Sequence, residues 1–519
     1  MRQGTNCKFR KTAPSLDTDC YFVPAMIPSF GALMHTIRLL CLLLITTLAA
    51  AQQFDVVIEG GRVMDPETGL DGIRNVGIRD GKIARISPEP LSGARVIHSA
   101  GLVVAPGFID LHQHGQELAS QRVKAFDGVT TALEMEIGVP DVASFLKGKQ
   151  GKSLINYGTT ASHVAARALV FGTPLNPGVT GPHAGIPEIL PKSGPATDKP
   201  ATPEQISKIE QRLQQELQAG ALGVGMGIQY TPGATRLEVI DIFRFAAQDK
   251  VPVYTHLRSF GHGEPGSAIE SVEEVIGATA ISGAPLHIVH INSTCLRDTL
   301  DCLSLIDGAR ARGLDVTTEA YPYIAGMTQI NSALFNPGWR EKLGIEYRDL
   351  VLPNTGEHLT KERFEELHKS SVPQDVLIFA NTQAMVDATI PNPLIMIASD
   401  GADGHPRNAG CYSRVLAQYV REKKTLPLME ALRKMTLMPA QMLERSTLAA
   451  HQKGRLQEGA DADIVVFDPE TITDRATFER PMAPSKGVRE LLVSGTVVID
   501  EGKLVPDVFP GKAIVGPGR

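Results

Sequence analysis

Two histidines one residue apart close the segment PGFIDLHQH, as His112 and His114. At a spacing of i, i+2 on a strand, both imidazoles project to one face. Two imidazoles at the end of a buried apolar strand make poor core and good metal ligands. His256 ends VPVYTH and His290 ends PLHIVH. Either alone reads as a hydrogen-bonded core histidine; together with the HxH pair and a later acid they read as ligands. That acid is Asp400, which closes PLIMIAS before Gly401. A carboxylate there can bind a cation and also move a proton, if it lies within hydrogen-bond reach of the attacking water. Glu134 and Glu136 are again spaced i, i+2, in GVTTALEMEIG. One of them can bridge two metals. Glu136, nearer the strand end, is the preferred ligand; the alternative is pairing with Arg or Lys, since buried carboxylates seldom stand alone. His287 precedes His290 by three and points to the other face, and Asp403 reads as a loop residue. Imidazoles and carboxylates with few thiolates suit one or two Zn²⁺ ions, with Mn²⁺, Ni²⁺ or Fe²⁺ as alternatives. Such an ion lowers the pKa of bound water towards about 7 and polarises a scissile carbonyl.

These residues need a scaffold that gathers strand ends. PGFIDLHQH, GVTTALEMEIG, YGTTASHVAAR, GALGVGMGIQY, VPVYTHLRS, PLHIVHINS, LDVTTEAYPY and PLIMIASDG are strand-like and end in polar or small residues. Helical stretches intervene, such as TPEQISKIEQRLQQELQAG, with a Thr-x-x-Glu-like start and a Gly stop. Eight such units predict an α/β fold, a (β/α)8 barrel. A doubly wound sheet is the alternative, but ligands at the ends of several different strands favour the barrel. Both ends of the chain read as short strands between Gly-rich turns, which predicts a small β-sandwich domain assembled from the two ends. The expected order is an upstream extension and signal peptide over 1–51, β domain over 52–107, barrel over 108–450 and β domain again over 451–519. Within the barrel, about 326–390 shows no clear strand and is expected to form an insertion over the mouth. The Pro- and Gly-rich stretch 172–205 reads as a long loop.

The chain has 519 residues, 43% hydrophobic and 21% charged, with a net charge of −6. That balance is globular, and it lacks the basic face that nucleic-acid binding needs. Arg38, the apolar run Leu39 to Leu48 and then Ala49-Ala50-Ala51 have the pattern of a secretory signal cleaved near Ala51. Met34 is then the expected start. The run is too short to span a bilayer, and the alternative is an uncleaved N-terminal anchor. Export to the periplasm or the medium is expected, with no other membrane contact. Beyond that segment only Cys295, Cys302 and Cys411 remain, too few for a disulfide framework, although Cys295 and Cys302 can pair. Oligomeric state is not legible.

APGFIDLHQH, GVTTALEMEIG, GALGVGMGIQYTPG, YTHLRS, HIVHINS, EAYPYIAG, SDG followed by HPR, and KGRLQEGADADIVVFDP occur in this order. Together they resemble the amidohydrolase superfamily and, within it, the D-aminoacylase (N-acyl-D-amino-acid deacylase) branch, from about residue 54 to 510. The resemblance implies a (β/α)8 barrel with a small β domain. It implies His112, His114, His256, His290 and Asp400 as metal ligands, with Asp400 also the acid/base. It implies that Arg407, in HPR, binds the substrate carboxylate, and that Tyr321 and Tyr230 line the same pocket. A guanidinium suits that task because it can clamp a carboxylate with two hydrogen bonds. The plainer alternatives are a surface ion pair for Arg407 and barrel-mouth packing for the tyrosines. Three positions depart from the branch. Its Asn-Cys pair at the end of the second strand is Glu136-Ile137 here, its Lys after the sixth-strand His is Asn292, and its Ser after YPYxxG is Met327. A bridging Glu136 can replace the Cys, and no Lys on the fourth strand offers a carboxylated alternative. The expected small-molecule substrate is an N-acyl (D-)amino acid or dipeptide-like amide with a free carboxylate, attacked by metal-bound hydroxide. A cyclic amidase or deaminase on the same site is the second enzymatic reading, and a metal-free binding scaffold the non-enzymatic one.

Overall fold

The computed structural model describes residues 54–173, 194–353, 355–370 and 372–517. The expected signal segment and the greater part of the loop 172–205 lie outside the described residues.

Eight parallel strands form one sheet in chain order: β1 (Phe108–Asp110), β2 (Val129–Val139), β3 (Asn156–Ser162), β4 (Val224–Gly227), β5 (Val253–His256), β6 (Leu286–Ile288), β7 (Val316–Ala320) and β8 (Ile395–Ile397). Every residue of these strands is buried, as expected where helices cover the outside and side chains fill the inside. A parallel bridge between Gln113 and Gly401 joins the ends of β1 and β8 and closes the barrel. Asp110 fastens that seam. Its carboxylate accepts from Ser399 N at 3.0 Å, Ser399 Oγ at 2.6 Å and Lys124 Nζ at 2.7 Å. The residues just past this seam are His112 and Asp400.

The helix before β4 spans Pro203–Gln218. Thr202 caps it, Gln205 returns the bond to the Thr202 backbone, and Pro203 opens the first turn. Ile209, Leu213 and Leu217, four residues apart, are its buried stripe.

The two ends of the chain share a nine-stranded sheet. Val103–Pro106 pairs antiparallel with Ile464–Phe467 at the junction. Ile58, Val76 and Ile83 from one end share a single core with Ile464, Val466 and Leu492 from the other, so the sheet folds over itself. The KGRLQEGADAD segment ties this sheet to the barrel. Arg455 reaches Glu67 at 2.9 Å and Glu444 at 2.6 Å. Lys453 reaches Asp461 at 2.7 Å and Asp463 at 2.6 Å. Gly454 sits at φ 65°, where a Cβ would lie 2.4 Å from the Thr436 carbonyl oxygen.

Two sequence expectations need correction. The last residues do not stay with the β domain. Gly511 N donates to Ser153 O at 3.0 Å, Ile514 N to Tyr157 O at 2.8 Å and Gly516 N to Gly220 O at 3.0 Å. Pairing of β3 with β4 begins only at Ala161, so the earlier part of β3 has an open edge that this tail fills. The insertion is also not strandless. Gly326–Gln329, Asp375–Ile378 and Leu350–Val351 form an antiparallel sheet over a core containing Phe335, Trp339 and Phe364. Cys295 and Cys302 form a disulfide, and Cys411 is free and buried. No helix among the described residues is long and apolar enough to cross a membrane.

Candidate metal centre

The strand ends bring six predicted side chains together. His112, His114 and Asp400 form one group of converging donor atoms, and Glu136, His256 and His290 form another, each within 4.8 Å. Glu136 connects the two. Its Oε2 lies 3.3 Å from His112 Nε2 and 3.2 Å from His114 Nε2. Its Oε1 lies 2.8 Å from His290 Nε2 and contacts His256 Nδ1 more closely still. Asp400 Oδ1 is 3.4 Å from His112 Nε2 and 3.3 Å from His114 Nε2.

The tautomers follow from the outer partners. His112 Nδ1 faces Glu319 Oε1 at 2.6 Å, and His114 Nδ1 faces Glu134 Oε2 at 2.6 Å. A carboxylate accepts, so each Nδ1 carries the proton and each Nε2 presents a lone pair. Those two Nε2 atoms lie 3.1 Å apart. His290 Nδ1 is 3.0 Å from Thr294 Oγ1, and its Nε2 lies 3.0 Å from His256 Nδ1. Lone pairs of imidazoles and carboxylates crowded this closely repel unless a cation lies among them. A set of four imidazoles and two carboxylates therefore fits one or two divalent ions, and zinc matches the donor chemistry.

A proton can stand in for part of that positive charge, and the same acids draw it onto the imidazoles. Burial works against a charged His112, but Glu136, Asp400 and Glu319 hold its pKa well above the ordinary value. Burial would raise the Glu136 carboxyl, yet His256 and His112 hold it well below the carboxylate range. Asp400 is likewise held low against its burial by Arg407 and His112. Glu319 is lowered to about 2 because His112 outweighs its burial. These acids stay ionised around one focus.

Glu319 went unremarked in the sequence, where it appears only as the first letter of EAYPY. It bridges His112 to His287, whose Nε2 is 3.0 Å from its Oε2. His287 accordingly lies behind the donor cluster rather than in it, and Glu134 orients His114. Asp403 is a loop residue, as read, but it also faces the cavity.

A cavity of about 300 Å³ opens over the cluster. Its floor includes His114, Glu136, His256, His290 and Asp400, and its roof includes Met327, Thr328 and Ile378 from the insertion. Arg407 is buried beside it, with Nη1 2.8 Å from Asp400 Oδ2 and no partner for Nε. The guanidinium lies 4.6 Å from the centre of the Tyr321 ring. The Tyr230 ring packs 4.8 Å from that of His256.

The amidohydrolase family profile matches residues 194–499. An N-acyl-D-glutamate deacylase of Alcaligenes xylosoxydans xylosoxydans is 30% identical over 499 residues, spanning 89% of this chain and 97% of its own. The chain belongs to the amidohydrolase family. A D-aminoacylase of the same organism is 28% identical, spanning 87% of this chain and 96% of its own. The crystal structure of an N-acyl-D-glutamate deacylase from Bordetella bronchiseptica, complexed with zinc and a phosphonate inhibitor, superposes with a TM-score of 0.73 at 25% identity. It covers 90% of this chain and all of that one, counted as 100%. This amidohydrolase is thus an enzyme, a hydrolase of carbon–nitrogen bonds other than peptide bonds, and the reading as a non-enzymatic scaffold falls.

Proposed function

We propose that the chain is a metal-dependent deacylase that hydrolyses the amide of N-acyl-D-amino acids with a free carboxylate. The observation that carries this reading is the convergence of four imidazoles, Glu136 and Asp400 beside a buried guanidinium with a nitrogen to spare. His112, His114 and Asp400 would hold one divalent ion, His256 and His290 a second, with Glu136 shared between them. When bound, such an ion supplies Lewis-acid polarisation of the scissile carbonyl and eases deprotonation of the attacking water.

Arg407 binds the substrate carboxylate through nitrogens not engaged with Asp400, its plane fixed against Tyr321. Burial pushes the Tyr321 hydroxyl up to about 12 and the Tyr230 hydroxyl higher still. Both therefore stay protonated and act as donors, towards the substrate carboxylate and the developing oxyanion respectively. Asp400 takes a proton from the attacking water at Oδ1 and delivers it to the leaving nitrogen. We also propose export through the N-terminal segment, which sequencing the mature N-terminus tests.

The experiment is a substrate panel on purified protein of measured metal content. N-Acetyl-D-amino acids are expected to be hydrolysed, their L-enantiomers far more slowly, and a chelator to abolish both. Turnover of hydantoins or dihydroorotate with none of N-acetyl-D-amino acids would assign the site to cyclic amides instead.

A further inference from the structure

Two of the acids that line the cavity have no use in the proposed deacylation. Asp375 opens the roof strand Asp375–Ile378, Asp403 lies three residues past Asp400, and both line the cavity. Among the described residues neither is paired with a basic side chain; the Asp403 carboxylate accepts only from the Gly404 backbone at 2.9 Å. Burial, with Asp403 beside it, raises the Asp375 carboxyl above its ordinary value. Among the described residues Arg407 is the only Lys or Arg in the lining, and its ion pair is with Asp400. Independently of the two acids, its buried and unpartnered Nε marks this cavity as the seat of a ligand with an anionic group.

A substrate whose carboxylate sits on Arg407 therefore places its side chain in a cavity whose uncompensated charges are both negative. Asp375 is partly buried and Asp403 exposed at the cavity rim; a partly buried carboxylate without a counter-ion is unfavourable, so a ligand cation relieves Asp375 directly and is drawn inward by Asp403. A ligand carboxylate in the same place meets like charge, which is how a site rejects a competitor. Resting on the deacylase reading, we propose that Asp375 and Asp403 set the side-chain specificity: N-acyl amino acids with an ammonium or guanidinium side chain are preferred, and acidic side chains are rejected. Two of the chain's relatives are named for N-acyl-D-glutamate and N-acyl-D-aspartate, so this preference runs opposite to theirs.

The test compares kcat/KM of the metal-loaded, full-length enzyme for N-acetyl-D-lysine, N-acetyl-D-norleucine and N-acetyl-D-glutamate. Norleucine has the length of the lysine chain without its charge. Lysine is expected to exceed norleucine by about tenfold and glutamate by about a hundredfold. Asp375→Asn and Asp403→Asn should each shrink the lysine-to-norleucine ratio and raise glutamate relative to norleucine. Equal rates for lysine and norleucine in the wild type, or a preference for glutamate, would overturn the proposal and leave the deacylase reading standing. So would Asn variants that lower all three substrates by one factor, which is the mark of a merely structural role. Failure to hydrolyse any of the three would sink the deacylase reading, and this specificity with it.

Discussion

His290 and Asp400 occupy backbone conformations that side chains other than glycine seldom adopt, with φ of 30° and 51°. Such strain persists where surrounding bonds over-determine it, and here it aims two donors into one cluster. The four cluster histidines and Asp400 were legible because each stands at the end of an apolar strand, where a polar side chain needs a reason. Glu319 was not legible. It is a buried acid in mid-barrel, and its partner His112 is 207 positions away, so no local spacing links them. Acids that orient a ligating histidine commonly matter almost as much as the ligands. Glu319→Gln should weaken metal affinity by about 10–100-fold, read by competition with a chromogenic chelator. Unchanged affinity would show that His112 holds its tautomer without help. Asp400→Ala should cut kcat by about 10²–10⁴-fold with the circular dichroism spectrum intact, and near-normal turnover would remove the acid/base role.

At the scale of elements, the eight barrel strands announced themselves as apolar runs ending in polar residues, while the roof did not. Its strands are two to four residues long, too short for alternation to show against the surrounding irregular chain. The KGRLQEGADAD segment was legible as a family signature but its work was not: it is an ion-paired clasp. Lys453 is nearly enclosed and, among the described residues, is the only side chain bonded to both Asp461 and Asp463. Lys453→Met should cost about 3 kcal/mol at neutral pH by leaving buried Asp463 without a cation and Asp461 with Lys82 alone. The pH dependence has a definite sign. Despite its burial, Asp461 is held below the ordinary carboxylate range by Lys453. Its contribution is therefore complete above the unfolded-state carboxyl pKa and is lost as pH falls through the depressed folded value. The gap between wild type and variant should narrow as guanidinium unfolding is repeated from neutral pH into that acid range. A gap independent of pH would mean that the lysine acts by packing alone.

For the whole molecule, the β-rich ends were readable as one domain because both alternate between Gly-rich turns. The return of the final residues to the barrel was not readable, since the open edge of β3 that they cover exists only after folding. Ile514 is 3% exposed, so the tail contributes apolar burial as well as backbone bonds. Deleting residues 509–519 should lower the unfolding free energy by about 3 kcal/mol. Activity per folded molecule should persist, because the tail bonds to residues at the starts of β3 and β4, the barrel end opposite the candidate donor cluster. Thermal melts that match the full chain would show the tail to be dispensable.

The seam between Val103–Pro106 and Ile464–Phe467 has a consequence for synthesis. The first strand to be made waits, with its hydrogen-bonding edge bare, for one translated almost at the end. A nascent or prematurely terminated chain therefore presents a sticky, template-like surface for most of its time on the ribosome, and chaperone dependence would be greatest in that interval.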